Sequence, residues 1–337
     1  MWHLELPSQA NSITCNELDV NDDKVLDCMV LGDGFLMLIN GTDGQIFWKL
    51  QSEAFSSPVV VSDCDEDTIA DIAVFSSSPN ISILVLSGSS GKTVSSHPVR
   101  QCNTLPGVAV ARKMGAKNLL DVIFSCVDEQ EDGHLWSISV EDLCQSKMLK
   151  TKINLIQVPG IDQITDFHLL NVPAGESKED VIVWNETNIV LLKDQDYSNK
   201  WTFFLAPNTI ISSVTVGNFY GTNTTDIAVS VTEDGDPSQV LVLDASTGTV
   251  QWNQTYENGT VVLLTNIPKL FTTEDGLLLK SITQVKTVDV KYSEGTTQFK
   301  EYLEQYGVVE CRNSDTVSIV ASEITFHACS GGSNVIK

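Results

Sequence analysis

Along the chain an acidic residue is followed, six times over, by a short run of β-branched and apolar residues: LDCMV at Asp27, ADIAV at Asp71, LDVIF at Asp121, EDVIV at Asp180, TDIAV at Asp226 and EDGLLL at Asp275. The copies stand about fifty residues apart, the spacing of one supersecondary unit repeated. Each run is apolar at successive positions, which predicts a strand covered on both faces, while the flanking runs alternate and predict strands with one wet face. The fifth unit, ISSVTVGNFYGTNTTDIAVSVTEDGDPSQVLVLDASTGTVQWNQTY over 211–256, displays the full grammar: four strands in a meander, with a Gly turn before a last strand that carries Trp.

A four-stranded sheet cannot cover both its faces alone, whereas radial stacking of such sheets covers them and leaves only short edges. The pattern therefore predicts an all-β chain, a β-propeller of four-stranded blades in one domain over 1–337. Its units are 13–50, 56–99, 107–150, 164–205, 211–256 and 261–303. The tail adds GVVECR, DTVSIVAS and ITFHACS, and 307–330 together with an N-terminal strand around Trp2 to Leu6 makes a closing blade, so seven blades are favoured over six. Parallel sheets with crossover helices are the competing architecture, but no segment between strands sustains a helical period. TQFKEYLEQYG, 297–307, is the one short helix expected.

Two of the loops that precede the buried runs carry chemistry. Asp19, Asn21, Asp23 and Asp27 stand at offsets that recur as Asp63, Asp65, Asp67 and Asp71. Side chains at positions 1, 3 and 5 curl toward one centre, the carbonyl at position 7 (Val25, Ile69) joins them, and the last carboxylate closes the shell. That is a set of hard oxygen donors, suited to Ca²⁺ and not to zinc or copper. The alternative is a solvated acidic hairpin held by Asx turns. Later units replace the pattern: Lys113 and Lys117 precede Asp121, and only Asn218 and Asp226 stand at comparable offsets in the fifth unit. One or two calcium ions are expected, not six.

A formal charge of -24 removes nucleic acid and anionic membrane surfaces from the partners expected of these 337 residues. Eight cysteines accompany six sequons, at Asn40, Asn80, Asn185, Asn223, Asn253 and Asn258, a combination that points to an extracellular or lumenal address. The N-terminal MWHLELPSQANS has neither a basic region nor a long apolar run, and no stretch is apolar for the length of a bilayer. The chain reads as an ectodomain whose anchor lies upstream. Eight cysteines allow 105 pairings; short separations favour Cys15 with Cys28, Cys126 with Cys144 and Cys311 with Cys329, which leaves Cys64 with Cys102.

The acidic loop, placed between the first two strands of a blade, resembles the calcium-binding FG-GAP repeat of integrin alpha subunits over 15–32 and 59–75. The elements that name that repeat leave one trace, VGNFYG, and the turn-and-Trp pieces INGTDGQIFW and LDASTGTVQW look like blades of the quinoprotein type. This mixture, with its cysteines and sequons, resembles the integrin alpha FG-GAP repeat-containing protein 3 family, also called family with sequence similarity 234. The resemblance implies a single-pass type II membrane protein with a propeller ectodomain, calcium at the Asp19 and Asp63 loops, and no established activity.

Enzymatic chemistry finds little support. A quinone-dependent dehydrogenase uses adjacent cysteines, and none are adjacent here; His3, His97, His134, His168 and His327 are scattered without a short metal spacing. SGSSGK lacks phosphate-loop spacing, and no Gly-x-Ser-x-Gly elbow occurs. A carboxylate-based, glycan-acting hydrolase at the propeller centre is the main enzymatic alternative. Trp48, Trp201 and Trp252 share one repeat position and are assigned to packing between blades; Trp136 and Trp184 fall off that register. The expected function is non-catalytic binding of a protein or glycan ligand at the cell surface.

Overall fold

The computed structural model describes residues 4–288, apart from 5, 78–79, 108, 115–118, 146–151, 172–178, 194–195, 220–224, 234–237, 257–260, 272–273 and 282–284. The first sheet is β1 (Ala10–Leu18), β2 (Asp27–Gly32), β3 (Phe35–Ile39) and β4 (Ile46–Gln51), hydrogen-bonded in that order. The second repeats it with β5 (Val59–Val61), β6 (Asp71–Ser76), β7 (Ser82–Leu86) and β8 (Thr93–Pro98). The third contains β9 (Ala109–Met114), β10 (Leu119–Val127), β11 (Gly133–Ser139), the short helix α1 (Val140–Cys144) and β12 (Asn154–Ile156).

The fourth sheet is β13 (Asp166–Asn171), β14 (Glu179–Trp184), β15 (Asn188–Leu192) and β16 (Asn199–Phe204). The fifth is β17 (Thr209–Gly217), β18 (Asp226–Glu233), β19 (Ser238–Asp244) and β20 (Val250–Tyr256). A three-stranded sheet, β21 (Val261–Phe271), β22 (Glu274–Ser281) and β23 (Val285–Val288), follows. Every pairing with a recorded register is antiparallel, as a meander requires. The expected closing blade over 307–330, the helix over 297–307 and the Cys311–Cys329 pair lie outside the described residues.

Burial explains the pattern. β2 and β6 are buried at all positions, whereas β4 and β8 alternate, because the second strand of each sheet is covered on both faces and the fourth borders solvent. The chain packs as two compact units. One comprises 1–169, 177–179 and 193–198, the other 170–176, 180–192 and 199–337. In the first, Leu36, Leu38 and Trp48 pack with Ile72, Val74 and Leu86 between sheets one and two. Phe75 and Phe124 meet between sheets two and three with ring centroids 4.8 Å apart. In the second, Ile182, Ile189 and Leu191 pack with Ile227, Val229 and Leu243.

The turns before the last strands share one build. Gly44, Gly91 and Gly248 donate to the carbonyls of Asn40, Ser87 and Asp244 over 2.8, 2.7 and 2.8 Å. All three glycines have positive φ, at 76°, 66° and 71°, a conformation that costs glycine nothing. Gly91 and Gly248 also lie under indole rings. A Cβ on Gly91 would meet Trp48 at 2.6 Å, and one on Gly248 would meet Trp201 at 2.8 Å.

Two expectations need correction. Between β11 and β12 the chain makes one helical turn, α1, where no helix was expected, and the last strand of this unit falls at 154–156, past the expected boundary at 150. Five residues are too few to write a helical period into the sequence; Ser139 caps the turn by accepting from the Asp142 N–H over 3.0 Å. The bridges are Cys15–Cys28, Cys64–Cys144 and Cys102–Cys126. The expected Cys64–Cys102 and Cys126–Cys144 pairs therefore do not form. The Asn103 N–H donates to the Val127 carbonyl over 2.8 Å, which seats Cys102 beside Cys126. α1 meanwhile carries Cys144 to the second sheet, where the Leu143 carbonyl accepts from His97 Nε2 of β8 over 2.9 Å. Separation along the chain misleads when contacts run from sheet to sheet.

Candidate metal centre

The loop 19–26 joins β1 to β2, and 62–70 joins β5 to β6, the same place in successive sheets. Their hydrogen bonds match residue for residue. Asp19 accepts from the N–H groups of Asp23 (3.1 Å) and Lys24 (3.0 Å), and Asp63 accepts from those of Asp67 (3.3 Å) and Thr68 (2.7 Å). Asn21 and Asp65 each accept from position 5, at 3.2 and 3.3 Å, and position 5 in turn accepts from the N–H of position 7: Asp23 from Val25 at 2.8 Å, Asp67 from Ile69 at 2.9 Å.

The backbone is duplicated as well. Asp22 and Glu66, at position 4, have φ of 58° and 62°; Lys24 and Thr68, at position 6, have 70° and 77°. A left-handed residue at position 6 gives the sharp bend that an EF-hand loop obtains from glycine. Non-glycine residues held there twice mark a conformation that the surrounding bonds enforce.

The last carboxylate of each loop is buried. Asp27 is 1% exposed and Asp71 0%. Each ties its loop to the turn that follows the third strand, at the same end of the sheet. Asp27 accepts from Val20 N–H (2.7 Å) and Gly41 N–H (3.2 Å), and Asp71 accepts from Cys64 N–H (2.8 Å) and Gly88 N–H (3.0 Å). These two glycines are required by close approach, since a Cβ on Gly41 or Gly88 would lie 2.1 or 2.0 Å from the carbonyl oxygen of Leu26 or Ala70. The turn also lends a hydroxyl to position 5: Thr42 Oγ1 donates to Asp23 over 2.8 Å, and Ser89 donates to Asp67.

The electrostatics differ within a loop. The Val25 N–H, then Thr42 and Asn21, hold Asp23 below the usual carboxylate range; the Ser89 hydroxyl, then the Ile69 N–H, do the same for Asp67. Asp71 is pushed the other way, first by burial and further by the charges of Asp65 and Asp63, against the Cys64 and Gly88 N–H bonds. Oxygens of Asp63, Asp65 and Asp71 lie within 4.8 Å of one another. Three carboxylates this close, one of them buried and pushed upward first by that burial and then by its neighbours' charge, suit a divalent cation. The donors are oxygen throughout, and the loop has the alternate spacing calcium uses, so the residues fit that ion.

Later sheets hold the corresponding carboxylate differently. Asp180, at the head of β14 and 7% exposed, receives the Lys200 ammonium over 3.0 Å. Asp121, half-buried at the corresponding place on β10, accepts from the Tyr197 hydroxyl over 3.4 Å.

A cluster that the spacing of histidines did not reveal lies in the turn between β10 and β11. Asp128, Asp132 and His134 bring ligand atoms within 4.8 Å, with His134 Nε2 3.0 Å from Asp128 Oδ2. Burial raises the Asp128 carboxyl, but the N–H groups of Asp132 and Gln130 and the nearby imidazole outweigh it and leave the group below its ordinary range. The signal was a Asp-x-x-x-Asp-x-His pattern across a tight turn, legible only once 128–134 is known to be one.

The sequons fall in unlike settings. Asn80 and Asn253 are exposed and Asn185 is half-buried, while Asn223 and Asn258 lie outside the described residues. Asn40 is 8% exposed, and its amide oxygen accepts from Thr42 N–H over 2.6 Å, the staple of the first turn.

The model of the FAM234A/B beta-propeller matches residues 1–264. The chain belongs to this family. Among curated relatives it resembles Protein FAM234B of Mus musculus, 26% identical over 281 residues that cover 75% of this chain and 44% of that protein. Protein FAM234B of Homo sapiens is 25% identical over 280 residues, with the same coverage of 75% and 44%. The chain thus spans less than half the length of the FAM234B proteins it matches. Solved structures show the same fold at low identity. The BBS1N chain crystallised in complex with ARL6DN and soaked with mercury superposes with a TM-score of 0.55 at 14% identity, covering 83% of this chain and 78% of that one. The Dos1 propeller gives a TM-score of 0.55 at 10% identity, covering 86% and 68%. The family is all-β, and the repeated sheets are propeller blades; neither FAM234B name carries an enzymatic activity.

Proposed function

We propose that this member of the FAM234 family is a calcium-stabilised, non-catalytic binding propeller working outside the cell or in the secretory lumen, where it engages a protein or glycan ligand through the loops at its blade ends. The supporting observation is the duplication of the acidic loop: two nine-residue segments reproduce the same oxygen donors, left-handed positions and buried closing carboxylate. Asp19, Asn21, Asp23, the Val25 carbonyl and Asp27 hold one ion, and Asp63, Asp65, Asp67, the Ile69 carbonyl and Asp71 the other. Bound calcium offsets the mutual repulsion of the carboxylates and ties the first two strands of each blade, which makes the ion a brace and leaves recognition to other loops.

The three disulfides among the described residues support an oxidising compartment. Among the described residues no helix is long and apolar enough to cross a membrane. On this reading sugars occupy exposed sequons such as Asn80 and Asn253.

The test is thermal melting with calcium and with a chelator, together with elemental analysis of the purified protein. Calcium bound at one or two ions per chain and a lower melting temperature in chelator are expected, since a ligand of the folded state alone stabilises it by mass action. Identical melting and no bound metal would sink the proposal. Affinity capture from cell surfaces, repeated with glycosidase-treated cells, separates a protein ligand from a glycan.

A further inference from the structure

Two of the disulfides among the described residues belong to the acidic loops themselves. β1 pairs with β2 so that Thr14 faces Met29, which sets Cys15 opposite Cys28 with Cα atoms 4.1 Å apart. The ring closed by that bond contains the whole of the first loop. Cys64 is the second residue of the other loop. Its N–H donates to Asp71 Oδ2 over 2.8 Å, and its sulfur is bonded to Cys144 at the end of α1.

α1 is a fixed post. Val140 and Leu143 are buried, and the Leu143 carbonyl accepts from Ser95 Oγ and from His97 Nε2, both on β8 and both buried. The second loop is therefore tied across sheets and the first within its own hairpin. Cys102–Cys126 joins the β8–β9 connection to β10, outside either loop, with its cysteines 8% and 6% exposed.

Without an ion, repulsion among the clustered carboxylates works against the N–H bonds that close the loop and favours its spread. A covalent bond at the loop limits that spread, so less order must be imposed when the ion enters. We propose that each loop's disulfide sets its calcium affinity, so that the two sites respond to oxidation state: closed bonds tighten the hold on the ion and opened bonds weaken it. This rests on the calcium reading of the loops. In the opening step a dithiol gives two electrons and two protons to the cystine, the S–S bond breaks to two thiols, and the dithiol leaves as its own cyclic disulfide. Cys28 is buried, but its partner Cys15 is exposed and Cys64 and Cys144 are half-buried, so a dithiol attacking those sulfurs reaches the loop bonds before Cys102–Cys126, where both cysteines are buried. The sites then bind most tightly in an oxidising compartment.

The experiment is calorimetric titration of the full chain with calcium, comparing the native protein with Cys15→Ser/Cys28→Ser, Cys64→Ser/Cys144→Ser and Cys102→Ser/Cys126→Ser. Each of the first two pairs should weaken one site by about tenfold and spare the other. The third should lower the melting temperature and leave both affinities unchanged. Should a variant lose its folded circular dichroism, the native protein is reduced stepwise with dithiothreitol, and the open bonds are identified by alkylation and mass spectrometry. Calcium affinity should then fall about tenfold as Cys15–Cys28 and Cys64–Cys144 open, with Cys102–Cys126 still closed. Unchanged affinity at both sites with both loop bonds open overturns the coupling alone. No calcium bound by the native oxidised protein defeats the metal reading, and the coupling with it.

Discussion

The indole Nε1 of Trp48, on the last strand of the first blade, donates to the carbonyl of Gly88 in the turn of the second over 2.8 Å, with the ring lying against Gly91. Three blades later Trp201 makes the same bond to Ala245 over 2.9 Å, with its ring against Gly248. One aromatic side chain thus supplies both apolar cover and a directed bond between neighbouring sheets.

Replacing Trp48 by Phe keeps most of the cover and removes the bond, and is expected to cost about 1–2 kcal/mol. Gly91→Ala forces a side chain into a left-handed backbone and against the indole, at about 1–3 kcal/mol. Shifts of the urea midpoint measure both. A Trp48→Phe protein as stable as the parent would reduce the bond to a passive contact.

On the calcium reading, the two acidic loops should lose their ions independently. Asp63→Asn combined with Asp65→Asn is expected to lower the calcium content by one ion per chain while the Asp19 loop keeps its own, as read by elemental analysis after dialysis. Loss of both ions would mean that the loops are coupled through the sheets between them.

Acidification should release calcium from the second loop early. Burial, with help from Asp65 and Asp63, holds the ion-free Asp71 carboxyl above its ordinary value of 3.8. A carboxyl raised in the folded state favours folding when protonated, so its contribution to the ion-free protein is gained, not lost, as the pH falls through its folded value. Calcium needs the carboxylate. The melting difference between calcium and chelator should therefore shrink on acidification, starting above the ordinary value of 3.8, and a difference that stays constant as the pH falls toward it would remove Asp71 from the ligand set.

Lys200 should matter more than a surface lysine. Lys200→Met takes the ammonium from a carboxylate that is 7% exposed, and a loss of about 1–3 kcal/mol is expected, discounted because the lysine is partly solvated. Asp180→Asn in the same chain should restore most of it. A double variant no better than the single one would show that the pair contributes through packing.

Sugar is expected on Asn80 and Asn253 and not on Asn40 in the folded protein, because the Asn40 amide is buried in its turn and bonded to Thr42. Peptide mapping after enzymatic deglycosylation in heavy water distinguishes them. A glycan found at Asn40 would require a different turn.

The blade repeat was legible because a strand covered on both faces must be apolar at successive positions, and β2 and β6 carry that requirement in six residues each. The acidic loops were legible because all their donors lie within nine consecutive residues. α1 was not, since one turn is too short to show a period, and the His134 cluster was hidden because Asp128, Asp132 and His134 meet across a turn that no periodicity marks.

By itself the sequence determined the family, the all-β class, the sheet order within a blade and the two loops with a calcium-type donor pattern, all of which are written in local spacing. Tertiary structure alone decided that Cys64 bonds Cys144, 80 residues away, that Trp48 reaches Gly88, 40 residues on, and that Lys200 answers Asp180. Those partners are chosen by distances across sheets and between strands, and the same cysteine, tryptophan or lysine would satisfy its own local pattern equally well with any of several mates.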